Sequence, residues 1–178
     1  MSASLVFLIL ALPVCALGML RYRSDYRRLG RTSGFGVVLL LLAWIMPHFV
    51  LGFAIPLFPA PSSAMQWIGY WLMALAVALL VLPMRGFTPG MVVGHDAGRL
   101  VTGGVYRWTR NPQYVFYAPF PLGYALTGSS VLAYVGVALV YLVMHLTALV
   151  EEEHLERVFG DAYRRYREST PRYLGRPR

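Results

Sequence analysis

Residues 35–58, FGVVLLLLAWIMPHFVLGFAIPLF, and residues 64–84, AMQWIGYWLMALAVALLVLPM, decide the fold. No residue from 32 to 84 carries a formal charge. A helix needs roughly 20 mostly apolar residues to cross a bilayer, so each stretch reads as a membrane-spanning helix. Pro56, Pro59 and Pro61, with Ser62 and Ser63, mark the turn between them. Working outward, residues 2–20 form a first span, 112–127 a short fourth and 130–150 a fifth. Pro119 and Pro121 interrupt the fourth. That predicts a kinked or tilted helix buried against its neighbours, because freed backbone groups cannot face lipid. The expectation is an all-α integral membrane protein of five spans.

Composition agrees. Hydrophobic residues make up 57% of the chain and charged residues 13%. Soluble domains carry about 45–50% and about 25%, so a water-soluble globule is excluded, as is a basic disordered tail. One cysteine excludes an intrachain disulfide framework and a multi-cysteine zinc site. The net charge is +8, and all 16 basic residues are arginines. Without lysine there is no Walker A sequence, and no Gly-x-Gly-x-x-Gly fingerprint follows a strand. No two histidines have helix-face metal spacing, so no metal is expected.

The arginines fall in three blocks between apolar runs, which favours a topology signal over a nucleic-acid surface. Arg21, Arg23, Arg27, Arg28 and Arg31 lie between spans one and two. Arg85, Arg99, Arg107 and Arg110 lie between three and four, and the rest follow span five. Five spans put all three blocks, and every acidic residue, on one side. The positive-inside rule makes that side cytoplasmic and the N-terminus external. The N-terminal run reads as a span and not a secretory signal, because its basic block follows the apolar run. The expected location is a bacterial inner membrane or an equivalent one. The chain reads as a single membrane domain over 1–178, with three spans in 1–84 and the polar chemistry in 85–178.

Three features carry that chemistry. The first is Gly104-Val105-Tyr106-Arg107-Trp108-Thr109-Arg110-Asn111-Pro112-Gln113-Tyr114. Pro112 suits the first turn of a helix, where its missing N–H costs nothing. Arg110 then stands at the helix mouth, where a guanidinium can grip a carboxylate or phosphate. The second is Glu151-Glu152-Glu153, at the end of span five. Adjacent carboxylates there oppose the helix dipole and repel one another, so they call for a cation, either an arginine or a ligand. Arg110 and the triplet together offer an anion grip and a cation grip suited to a zwitterion. The third is His145, inside span five, near one helical face with Tyr134, Tyr141 and Glu152. His48 is a weaker candidate. Beyond the triplet, Leu155, Val158, Phe159, Ala162, Tyr163 and Tyr166 recur at helical spacing, which predicts an amphipathic helix at the cytoplasmic membrane surface.

The run Gly104-x-Tyr106-x-x-x-Arg110-Asn111-Pro112-x-Tyr114 resembles the Gly-x-Tyr-x-x-x-Arg-His-Pro-x-Tyr motif of the isoprenylcysteine carboxyl methyltransferase family. Glu151, Glu152, Leu155, Phe159, Gly160, Tyr163, Tyr166, Pro171 and Arg172 resemble that family's second motif. The likeness covers roughly residues 86–174, with a helical hairpin between the motifs. It implies a membrane methyltransferase that uses S-adenosylmethionine on the cytoplasmic side, with a lipophilic acceptor entering from the bilayer. The wider family includes phospholipid N-methyltransferases. Carried over, Tyr106, Arg110, Asn111, Pro112, Tyr114, Glu151 and Glu152 would line or brace the cofactor pocket, with Arg110, Glu152 and His145 as catalytic candidates. Asn111 stands where the family has His, and Phe116 where it usually has Gly. The sequence shows no dedicated acid–base pair, so this reading favours an acceptor that is already nucleophilic. A prenylcysteine-like carboxylate, a thiol and a lipid amine all stay open. The alternatives are an NADPH-dependent reductase, related to the C-terminal half of the membrane sterol reductases, and a catalytically inactive binding protein.

Overall fold

A computed structural model describes residues 3–54, 63–84, 99–128 and 130–175. The proline turn expected at 56–63 falls mostly outside these residues. The elements are α1 (Ala3–Leu29), α2 (Gly34–Ala54), α3 (Ala64–Met84), a 3-10 turn (Gly104–Arg107), α4 (Pro112–Tyr117), α5 (Pro119–Leu126), α6 (Val131–Phe159) and α7 (Asp161–Ser169). Among the described residues there is no strand.

Among the described residues four helices, α1, α2, α3 and α6, are long and apolar enough to cross a membrane, where the sequence predicts five spans. The difference lies at 112–127, which is two short helices and not one. Pro119 has no N–H to donate back along the helix, and the chain breaks at Ala118. Beside the break, the Ala118 carbonyl accepts from the Tyr141 hydroxyl at 2.8 Å. The broken pair still runs from one end of the bundle to the other. Asn111 meets Glu152 at the charged end, and the Thr127 carbonyl accepts from Gln66 Nε2 at 3.1 Å near the start of α3.

Two helices outrun their predicted spans. α1 continues from Leu20 to Leu29 because its charges find partners. Arg21 pairs with Asp25 at 2.9 Å, while Arg23 and Arg27 reach Glu153 on α6 at 2.8 and 2.7 Å. Asp25, buried, accepts from the Ser33 backbone N–H at 2.9 Å and from its hydroxyl. The Ser33 hydroxyl accepts in turn from the Gly36 N–H at 3.0 Å, and so starts α2. α6 carries the acidic triplet and runs on to Phe159, where Gly160, at φ +52°, stops it. The single amphipathic helix expected after the triplet is therefore divided. Leu155 and Phe159 end α6, while Tyr163 and Tyr166 of α7 turn inward onto Tyr106. The inward side chains of this segment are used within the protein.

α6 is the central helix. Half (50%) of its apolar window is buried, against 17% for α3, whose Trp67, Trp71 and Val77 face outward. Ala133, Val137, Val140, Met144 and Ala148 form the buried stripe of α6, against Leu51 of α2 and Tyr114 of α4. α3 and α5 cross at Gly69 and Gly123. A Cβ on either would stand 2.5 Å from the other's carbonyl oxygen, so this approach admits only glycine.

Candidate active site

The site forms where the segment before α4, the end of α6 and the tail after α7 meet. Asn111 is the N-cap residue of α4, and Pro112 occupies the first turn as expected. The Arg110 N–H donates to the Pro171 carbonyl at 2.9 Å. The Thr109 hydroxyl and Asn111 Nδ2 both donate to the Arg172 carbonyl, at 3.0 and 3.2 Å. These bonds lay the tail, residues 170–174, across the start of α4.

Successive positions on a helix differ by about 100°. The three adjacent carboxylates therefore face three different surroundings. Glu153 accepts from Arg23, Arg27 and Arg157 at 2.7–2.8 Å. Glu152, buried, accepts from Arg110 Nη2 at 3.1 Å, Asn111 Nδ2 at 2.9 Å, and Arg172 Nε and Nη2 at 3.0 and 3.1 Å. Glu151 has hydroxyl partners only: Tyr114 at 2.8 Å and Tyr22 at 3.3 Å, both on Oε1. The cations that the triplet calls for are thus arginines at Glu152 and Glu153. Among the described residues, no arginine bonds Glu151.

Arg110 and Glu152, expected as separate grips, pair with each other, each side chain 8% exposed. Arg110 Nη1 also donates to the Arg167 and Thr170 carbonyls, both at 2.8 Å. Its Nε and the Tyr163 hydroxyl are buried without a hydrogen-bond partner among the described residues. Burial pushes the Tyr163 and Tyr166 phenols well above their ordinary range. Hydrogen bonding to Glu152 raises the Arg172 guanidinium further, so the pair stays ionic.

A cavity of about 510 Å³ opens beside this network, between α4 and α6 and against the tail. Its walls include Tyr114 of α4, Ala118 at the break, Tyr141, Met144 and His145 of α6, and Tyr173 of the tail. His145 Nδ1 lies 2.8 Å from the Tyr173 hydroxyl.

The predicted residues thus fall into three groups. Arg110, Asn111 and Glu152 share one network. Tyr114 and Glu151 form a second, adjoining the cavity that His145 lines. Tyr106 lies beneath α7, where its carbonyl accepts from the Tyr166 hydroxyl at 2.7 Å. Tyr134 of the expected stripe is exposed, away from both networks. His48 is held on both nitrogens, by the Trp44 carbonyl at 2.7 Å and by the Tyr117 hydroxyl. Sequence reasoning left out Thr109, Arg172, Tyr173, Tyr22 and Tyr26 as site residues. Arg172 was within reach, as part of the second motif. Tyr22 and Tyr26, four apart on one helix face, had no such signal.

Comparison with known proteins places this geometry. The model of the phospholipid methyltransferase family matches residues 64–162, a stretch that holds Tyr106 through Tyr114 and the acidic triplet. Phosphatidylethanolamine N-methyltransferase B of Dictyostelium discoideum is 27% identical over 154 residues, covering 79% of this chain and 77% of that protein. No solved structure matches the chain. With its apolar helices and a family match over more than half its length, the chain belongs to the phospholipid methyltransferase family of integral membrane proteins.

Proposed function

We propose that this protein transfers a methyl group from S-adenosylmethionine to the headgroup amine of a membrane lipid, at the cytoplasmic face. One observation carries the choice of an amine. Glu151 has no cation partner among the described residues, and the Tyr114 hydroxyl ties it to the cavity wall. An ammonium headgroup would supply the missing countercharge, and it must lose a proton before it can be methylated. The carboxylate or thiolate acceptor that the sequence favoured needs no such group. The similarity to a phosphatidylethanolamine N-methyltransferase points the same way. The reductase and inactive-protein alternatives gain no support from the family match.

The residues present fit the cofactor. About 510 Å³ falls within the range of small-molecule pockets, roughly 300–1,000 Å³. The faces of Tyr114, Tyr141 and Tyr173 suit a sulfonium, as aromatic rings attract cations. Arg110 Nε and the Tyr163 hydroxyl are buried donors in want of an acceptor, which a carboxylate would provide. Arg110 would hold that carboxylate, with Glu152 and Asn111 fixing the guanidinium and Pro112 and Tyr106 bracing the segment. His145 would stand on the cavity wall as a contact for cofactor or acceptor. The chemistry that the cofactor supplies is an electrophilic methyl group. The protein's own work is to align acceptor and donor and to keep water out.

The charged ends of α1, α4 and α6 meet, which supports a cytoplasmic C-terminus, an external N-terminus and five crossings, with α4 and α5 as the broken fourth. The same contacts support reading 1–84 and 85–178 as one membrane domain. Calorimetric titration of the purified protein with S-adenosylhomocysteine and NADPH, followed by a methylation assay on phosphatidylethanolamine vesicles, tests the proposal. Binding of the first ligand alone and formation of monomethylated lipid are expected. NADPH binding alone would overturn the reading.

A further inference from the structure

We infer that α1 supplies part of the chemical site: Tyr22 and Tyr26 hold Glu151 as acceptor of the lipid ammonium's proton, in a hydrogen-bonded chain Tyr26–Tyr22–Glu151–Tyr114. This rests on the amine reading above. α1 lies outside the stretch that the family model matches.

The geometry is specific. Tyr22 Oη lies 3.3 Å from Glu151 Oε1 and 3.1 Å from Tyr26 Oη, and Tyr114 Oη lies 2.8 Å from Glu151 Oε1. Each hydroxyl has one proton. The arrangement that uses them all has Tyr26 donating to Tyr22, and Tyr22 and Tyr114 both donating to Glu151. Tyr22 and Tyr26 are buried, and Tyr26 stacks on His154 with ring centroids 4.0 Å apart. The other ionisable neighbours of Glu151 are Glu152 on the same helix and Tyr106 beneath α7.

Tyr114 is the cavity end of this chain. A lipid ammonium there gives its N–H proton to Tyr114 Oη as the Tyr114 proton passes to the Glu151 carboxylate. One N–H bond breaks and one O–H bond forms on Glu151. Ammonium and carboxylate become neutral amine and neutral acid, and Tyr114 is unchanged. Tyr22 and Tyr26 touch neither substrate nor cofactor. They are positioning residues that keep Oε1 turned toward Tyr114.

The test uses the full chain in nanodiscs, with two acceptors: phosphatidylethanolamine, and an analogue with an aminooxy headgroup, which is already neutral at pH 7. Glu151→Gln should lower kcat on phosphatidylethanolamine about 100-fold and Tyr22→Phe about 10-fold, within the usual range for general acid–base groups. Tyr26→Phe should fall between Tyr22→Phe and wild type. Both tyrosine variants should methylate the aminooxy lipid at near wild-type rates, and Glu151→Gln should lose far less on it than on phosphatidylethanolamine. Calorimetry should find S-adenosylhomocysteine bound by Tyr22→Phe and Tyr26→Phe within about twofold of wild type, which shows an intact fold. Equal losses on both lipids, loss of that binding in both tyrosine variants, or full activity on phosphatidylethanolamine would overturn the inference. A wild-type protein that methylates neither lipid would instead overturn the amine reading, and the inference with it.

Discussion

Arg172 grips Glu152 through two parallel hydrogen bonds, Nε to Oε1 at 3.0 Å and Nη2 to Oε2 at 3.1 Å. Planar two-point pairing of this kind is available to arginine and not to lysine. It fastens the tail to the central helix and sets Tyr173 beside His145 on the cavity wall. Arg172→Lys should therefore keep the charge and lose the closure. We expect about a tenfold weaker affinity for S-adenosylhomocysteine, one hydrogen-bond pair being worth about 1.4 kcal/mol. Limited proteolysis should cut the variant's tail sooner. Unchanged cleavage and affinity would show that the tail does not need this pair.

Arg110 and Glu152 are both nearly buried, so removing one strands the other. Arg110→Ala should lower stability by about 3 kcal/mol, in the range for breaking a buried pair from one side. Glu152→Gln should lower it less, since a neutral amide can still accept from Asn111. Both should bind S-adenosylhomocysteine at least tenfold more weakly. Normal affinity in both, by calorimetry, would sink the assignment of the cofactor's carboxylate to Arg110.

Asn111 fills the position of the family's His by donation alone, from Nδ2 to Glu152 and to the Arg172 carbonyl. A neutral imidazole can make one of these bonds, so Asn111→His should stay within about fivefold of wild-type turnover, one lost hydrogen bond costing about 1 kcal/mol. Asn111→Asp puts a second carboxylate against Glu152 and should unfold at a temperature several degrees lower. Equal melting temperatures for the two variants would refute the donor role.

Gly69 and Gly123 set the distance between α3 and α5. Gly123→Val should cost about 1–3 kcal/mol by overpacking and loosen α5. The readout is denaturation in detergent. A neutral result would mean that α3 and α5 can separate without loss.

The hydropathy of α2 and α3 was legible because burial in lipid is written locally, one residue at a time. So was Pro112 as a helix start, and the motifs named Arg110, Asn111 and Glu152, which the fold brings into contact. The ends of α1 and α6 were not, because a charged helix continues when distant residues neutralise it. Arg23 and Glu153 are 130 positions apart, and nothing near either one announces the other. Tyr22 and Glu151, 129 apart, were hidden for the same reason. The break at Ala118 was foreseen as a kink from Pro119, but the Tyr141 hydroxyl that caps it depends on how α4 and α6 pack. Glu152 looked like a grip for ligand because sequence does not show how many donors surround a carboxylate.

The fan of partners around the acidic triplet has a consequence for how the molecule comes to exist. Glu151 and Glu153 are completed by α1, made first, and Glu152 by Arg172 of the tail, which leaves the ribosome after the whole bundle. During synthesis α1 must wait in the bilayer, Arg23 and Arg27 unanswered, until α6 arrives. Contacts of such sequence separation close late and slowly. An early arrest product ending within α5 would hold α1 packed on α2 with none of the three carboxylates present. Quality control that recognises unpaired arginines at the membrane edge would then find its target in every chain that stopped short.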